Sequence, residues 1–252
     1  MTARLFAIVL LMLAGSVRAQ TGAADTAGRA QAAYESGDYA AAINLYETLV
    51  SSDLADGNVY YNLGCAYHQN GDLSRALLNY LRAQAFIPRD PDLEHNLRLA
   101  RARRMDVQGD ERGWIEGLAV LTSGIVTVQE LGWGALLAWA AGFGLLAAWI
   151  LRPDQRAALR LPLAAAGMIA MFVLILFISR LWVSTNRPAA VVLPEQARVM
   201  SGPGETYLEL FPLHAAAEVR RVETRNGWIR FVLPDGRQGC LPQESMESVW
   251  ME

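Results

Sequence analysis

The 252-residue chain contains no lysine; all 22 of its basic residues are arginine. That absence excludes a lysine-dependent phosphate-binding loop, a kinase-type lysine and a Schiff-base enzyme. Cysteine is nearly absent as well. Cys65 and Cys240 stand far apart, so no disulfide framework is expected and the two are read as unpaired. Of the three histidines, His68 and His95 lack an acidic or cysteine partner at metal-ligand spacing, so neither a metal site nor a cofactor is expected. The nucleophile elbow GxSxG, the zinc motif HExxH and a Cys–His pair at catalytic spacing are missing too, and the chain reads as a non-enzyme. A net charge of −3 sets up no overall field for nucleic acid.

Long apolar runs, by contrast, are present. Residues 131–151 and 161–179 carry no charge. Roughly 20 apolar residues in a helix cross a bilayer. The loop between them, residues 152–160, holds Arg152, Arg156 and Arg160 against one acid, Asp154. Short arginine-rich loops stay in the cytoplasm, which predicts a transmembrane hairpin with its tip inside and both flanks outside. The alternative, two buried helices of a soluble core, fails because the rest of the chain is too small to cover them. Residues 1–19 combine Arg4, an apolar core and Val17-Arg18-Ala19, the pattern of a secretory signal peptide cut after Ala19, or otherwise of an uncleaved anchor. No cysteine follows the cut, which excludes a lipoprotein. Signal and arginine loop agree on an inner-membrane protein with periplasmic flanks.

Between signal and hairpin the sequence matches itself. Gly37-Asp38 aligns with Gly71-Asp72, Ala42 with Ala76 and Tyr46 with Tyr80. Their common offset of about 34 residues resembles the tetratricopeptide repeat, two helices per unit. The unit 57–90 carries Tyr60, Leu63-Gly64, Tyr67, Ala76, Tyr80, Ala83 and Pro88 in register; the preceding unit is degenerate. Asp90-Pro91-Asp92 starts a closing helix whose Arg98, Arg101, Arg103 and Arg104 read as the solvated face of a cap. First helices of such repeats line a concave face. This places Gln31, Tyr34, Glu35, Asn58, Tyr61, Cys65, His68, Gln69 and His95 along a protein-binding surface. Tyr61 and Cys65 fit equally well as packing between helices.

A polar break, DVQGDERG, precedes Trp114, Leu118, Leu121 and Ile125 at helical spacing. This stem, residues 106–130, reads as an amphipathic helix lying either on the membrane surface or on the repeats. Trp133, Trp149 and Trp182 sit near the ends of the apolar runs, as interfacial aromatics do, and Arg180 can snorkel to the headgroups.

From residue 188 onward the pattern shortens. Residues 191–193, 197–200, 217–222, 228–233 and 238–241 are strand candidates, separated by turn signals such as Arg225-Asn226-Gly227 and Pro234-Asp235-Gly236. Five short strands predict a small all-β barrel. His214 reads as a loop residue bonding within a turn, and Cys240 as a buried thiol. The succession SGPG, LFPLH, EVRRVE, NGWIRFVLPDGRQGCL resembles bacterial Src-homology-three-like (SH3-like) domains. That likeness implies a peptide or glycan groove lined by Tyr207, Phe211 and Trp228, although Trp228 also reads as partly core. Cys240 replaces the second tryptophan of the family pattern, which weakens such a groove.

The predicted fold class is therefore a multi-domain membrane protein: an all-α repeat domain (20–105), a transmembrane hairpin (131–151 and 161–181) and an SH3-like barrel (188–252). This order, with DPDLEHNL closing the repeats and the SGPG…DGR run at the end, resembles the BatE-type component of the aerotolerance-operon family. The resemblance implies a membrane scaffold acting beside von Willebrand factor A-domain membrane proteins and a MoxR-type ATPase. A second reading is a cell-wall-targeting subunit that binds peptidoglycan and recruits a hydrolase.

Overall fold

A computed structural model describes residues 22–52, 54–106, 114–186 and 189–249. The signal-peptide expectation lies outside them, as does the Trp114 side chain of the expected stem stripe.

Five helices form the N-terminal array: α1 (residues 22–35), α2 (Tyr39–Ser51), α3 (Gly57–Gln69), α4 (Leu73–Gln84) and α5 (Pro91–Ala102). One device starts the last four. Asp38, Asp56, Asp72 and Asp90 each cap a helix, their side chains accepting from the backbone N–H of Ala41, Val59, Arg75 and Leu93. An N-cap aspartate satisfies an amide that the helix itself leaves open. The repeated Gly-Asp pair now has a physical reason. Gly37 (φ 83°) and Gly71 (φ 88°) end α1 and α3 in the left-handed region, and the aspartate that follows starts the next helix. Gly64 has a different role. A Cβ there would stand 2.6 Å from the Tyr80 ring, so its hydrogen lets α3 and α4 close up.

The array's core holds Ala42, Tyr46, Leu63, Ala76, Leu77 and Tyr80, all buried. Tyr60 is buried too and stacks on Phe86 at 5.9 Å.

Next come α6 (Trp114–Ser123), α7 (Val128–Leu151), a single 3-10 turn (Pro153–Gln155) and α8 (Arg156–Asn186). The expected nine-residue loop is shorter than predicted, because Arg156 and Arg160 already belong to α8. Thr127 and Glu130 form a reciprocal capping box at the start of α7. α7 and α8 run side by side, brought close by small residues: a Cβ on Gly132 would lie 3.4 Å from Phe177. Both are long and apolar enough to cross a membrane, and their flanks are open, with Leu161 81% exposed. The stem helix α6 packs on α8. Ala119 and Thr122 are buried there, and Arg180 reaches the Ala119 carbonyl and the Thr122 hydroxyl at 3.5 and 3.4 Å.

The C-terminal unit is an antiparallel sheet with seven strands where five were expected: β1 (Ala189–Val192), β2 (Gln196–Met200), β3 (Glu209–His214), β4 (Glu218–Arg225), β5 (Trp228–Val232), β6 (Gln238–Pro242) and β7 (Met246–Ser248), in the order β3-β2-β6-β5-β4-β1-β7. β3 and β7 escape the sequence pattern for physical reasons. Pro212 interrupts β3 and is tolerated because the strand pairs on one side only, with β2. β7 is just three residues long. His214 thus ends a strand instead of sitting in a loop. Asn226 (φ 52°) and Gly227 (φ 76°) form the expected tight hairpin between β4 and β5. Leu213 of β3 and Met246 of β7, at opposite ends of the strand order, enter one core with Val199, Phe231 and Leu241, so the sheet curls around a single interior.

The repeats and the sheet are joined. β1 is buried on both faces: Ala190 and Val192 enter the sheet's core, while Val191 joins the repeat core together with Ala216 and Val249. This is period-two alternation with a different core on each side.

Candidate protein-binding site

The face built by α1, α3 and α5 carries the residues expected to bind protein. Tyr61 is half-buried. Its hydroxyl accepts from Asn96 Nδ2 at 3.1 Å, and its ring lies 6.1 Å from that of Tyr80. The Tyr80 hydroxyl and Asn96 both approach the Cys65 sulfur, at 3.6 and 3.7 Å. Tyr61 and Cys65 thus brace α3 against α4 and α5, which is the packing alternative. Burial pushes the hydroxyls of Tyr61 and Tyr80 and the Cys65 thiol up, so all three stay protonated near neutral pH.

Along the same face, the Tyr46 hydroxyl donates to Gln31 Oε1 at 3.3 Å, and Gln31 donates to Glu35 at 2.8 Å. Tyr34 packs edge-on to Tyr39 and bonds Gln69 across the α1–α3 seam. His68 Nε2 meets Arg103 at 2.8 Å. Burial and the Arg103 guanidinium push the imidazole below the usual histidine value, so it stays neutral at pH 7. Gln31, Glu35, Asn58, Gln69 and His95 are exposed. The face is therefore a tyrosine-braced floor under a row of amides, two imidazoles and one carboxylate. Such a floor holds its surface groups in place, so a partner need not order them on binding.

The closing arginines depart from the solvated-cap expectation. Arg101 and Arg104 both bind Glu218 of β4, at 2.7 and 2.9 Å, while Arg98 pairs with Glu94 on its own helix. His214, expected to bond within its turn, instead receives Asp106: the carboxylate accepts from the His214 backbone N–H at 2.7 Å and meets Nδ1 at 3.1 Å. Ser74, buried on α4, donates to the Leu193 carbonyl and accepts from the Ala216 N–H. Ser74, Leu78 and Arg82 lie four residues apart on one stripe of α4, and that stripe meets the sheet. In the sequence the polar members of this joint look like an exposed convex face, which hides it.

Of the three aromatics expected to line a groove on the sheet, Phe211 and Trp228 lie on opposite faces. Phe211 lies on the core face of β3, opposite Val199, with the Arg237 guanidinium 4.9 Å above its ring. Trp228 opposes Pro242 on the other face, alternate to the core residue Ile229. Two strands also separate β5 from β3, a distance of roughly 14 Å at the usual strand spacing. Tyr207 is exposed and stands against Gly202, where a Cβ would meet its ring at 2.4 Å. Leu208 and Leu210 are exposed beside it. Cys240 is buried, and both cysteines are free thiols.

Residues 27–92 match the tetratricopeptide repeat family. None of the curated proteins compared matches the chain. The N-terminal array is thus a tetratricopeptide-type unit, a class that binds other proteins, and it is joined to a separate antiparallel sheet and two long apolar helices.

Proposed function

We propose that the protein is a non-catalytic inner-membrane scaffold. α7 and α8 cross the bilayer with the 3-10 turn in the cytoplasm, and the repeats and the sheet stand in the periplasm. One observation carries the reading: the repeat array has two sides with different fates. The stripe through Ser74 and Arg82, with Arg101 and Arg104, is consumed by the sheet, which leaves the α1–α3–α5 face as the side open to a partner. Arg152, Arg156 and Arg160 at the hairpin tip support the orientation. The sheet's Asn-Gly hairpin, curled core and DGR turn support an SH3-like barrel.

By the BatE resemblance, the partners are von Willebrand factor A-domain membrane proteins working with a MoxR-type ATPase. The exposed run of Tyr207, Leu208 and Leu210, leading into edge strand β3, favours a second reading, in which the sheet binds peptidoglycan and the repeats recruit a hydrolase.

Three experiments test this. Reporter fusions at Gly109, Gln155 and Glu252 are expected to read out, in, out; an inward reading at Glu252 removes the second span. Affinity capture from native membranes should bring down A-domain proteins with the wild type and lose them with Asn58→Arg/Gln69→Arg. Sedimentation with purified peptidoglycan that disappears in Tyr207→Asp, while capture by Asn58→Arg/Gln69→Arg is undiminished, would replace the first reading with the second.

A further inference from the structure

Among the described residues, Arg89 ties the repeat array to the start of the hairpin. Arg89, in the turn between α4 and α5, donates to the Ile125 carbonyl at 3.2 Å and to Glu130 Oε1 at 2.6 Å. Glu130 lies in the first turn of α7, so the α4–α5 turn stands level with the start of that helix. α6 is placed at the same end of the hairpin, because Arg180 near the end of α8 holds its Ala119 and Thr122. One flank of α6 therefore packs on protein. The other flank presents Leu121 and Ile125, the one on α6 and the other just beyond its end, 68% and 58% exposed. Phe86, three residues before Arg89, is 49% exposed even after stacking on Tyr60. Single exposed apolar residues are ordinary on a soluble surface. Here α6 packs on α8 at Arg180, and Ile178, Leu181 and Trp182, neighbours of Arg180 in sequence, are exposed as well.

We infer that Leu121, Ile125 and Phe86 form an apolar shelf that enters the lipid of the leaflet on the repeat array's side, with the Arg89–Glu130 pair at headgroup level. The inference rests on the reading of α7 and α8 as membrane spans. Lipid is the occupant the surface commits to, because α6 packs on a helix that itself fits lipid. An amphipathic segment with leucine and isoleucine on one side lies in such an interface. The shelf and the arginine tether together fix the attitude of the repeat array above the membrane, with α6 as a partial third membrane element.

The test uses the full chain in vesicles of phosphatidylethanolamine and phosphatidylglycerol. Nitroxides are attached at Leu121→Cys, Ile125→Cys and Phe86→Cys in a Cys65→Ser/Cys240→Ala background. Ile169→Cys within α8 and His95→Cys on α5 calibrate lipid and water. At the three shelf positions, collision with oxygen should exceed collision with a water-soluble nickel chelate, as at Ile169 and opposite to His95. If Ile169 reads as lipid while the shelf positions read like His95, the shelf is wrong and the spans stand. If Ile169 itself reads as water, the membrane reading falls. Shelf labels shielded from both reagents would mean that protein covers the surface, which also overturns the inference. A diazirine-tailed phospholipid gives the same answer on the unsubstituted chain: it should label residues 117–125 as well as the spans, and failure to label them while the spans are labelled contradicts the shelf.

Discussion

Arg82 of α4 grips Glu247 of β7. Nη2 lies 2.8 Å from Oε1, and the same guanidinium donates to the backbone carbonyls of Ser248 and Val249 at 3.0 Å each. Arg82 is 5% exposed, and Glu247 lies toward solvent. The arginine therefore serves less as half of an ion pair than as a clamp on the last strand of the sheet.

That asymmetry sets the size of two substitutions. Arg82→Met strands two carbonyls and a carboxylate and should cost about 2–4 kcal/mol, below the upper range for breaking a buried pair because Glu247 stays partly hydrated. Glu247→Gln keeps an acceptor at a partly exposed position and should cost under about 1 kcal/mol. Thermal melting of the full chain in detergent gives the order, and hydrogen exchange should show β7 deprotected in Arg82→Met alone. Equal losses in both variants would contradict the clamp.

Two glycines on helices should respond with opposite signs. In Gly64→Ala the new methyl meets the Tyr80 ring at 2.6 Å, so α3 and α4 must part, at a cost of about 1–3 kcal/mol. Gly28 on α1 faces open space, and alanine there raises helix propensity by up to about 1 kcal/mol. Melting of the two variants should bracket the wild type. A Gly64→Ala chain that melts no earlier than wild type would mean that the close approach of α3 and α4 is absent.

The pH dependence follows from His68. Its folded value lies below the unfolded one, lowered by burial and by Arg103. The unfolded chain then takes up the proton first as pH falls. The stability tied to the neutral ring is complete above about pH 6.5 and is lost as pH drops toward the folded value. Melting temperature should decline between pH 7 and pH 5, and His68→Gln should flatten that part of the profile. An unchanged slope in His68→Gln would assign the decline to other groups.

The individual units were legible in the sequence where local chemistry decides the structure. Gly37-Asp38 and Gly71-Asp72 mark where one helix stops and the next starts. Asn226-Gly227 marks a hairpin, and the uncharged runs mark the two long helices. What the sequence concealed was the association of units distant along the chain. Arg101 and Arg104 have the composition of a solvated helix end, and only the fold brings Glu218 to them. Nothing local in Ser74 names Leu193 and Ala216, more than a hundred residues away, as its partners. The expected grouping of Phe211 with Trp228 fails for a similar reason. Phe211 and Trp228 resemble a family pattern in order, but the pleat puts them on opposite faces. Tyr61 was ambiguous in principle, because an aromatic on a first helix serves floor and surface alike, and Asn96 decides its hydroxyl in favour of the floor.

If the open α1–α3–α5 face grips a partner protein, photo-crosslinking in living cells should trap that partner on it. A benzophenone amino acid is placed in turn at Asn58 and Gln69 on that face, at Arg75 on α4, and at Leu208 beside β3; all four are exposed. One discrete protein adduct is expected from Asn58 and from Gln69, and none from Arg75. Adducts confined to Leu208, with Asn58 and Gln69 silent, would contradict it and make the repeats a spacer for the sheet.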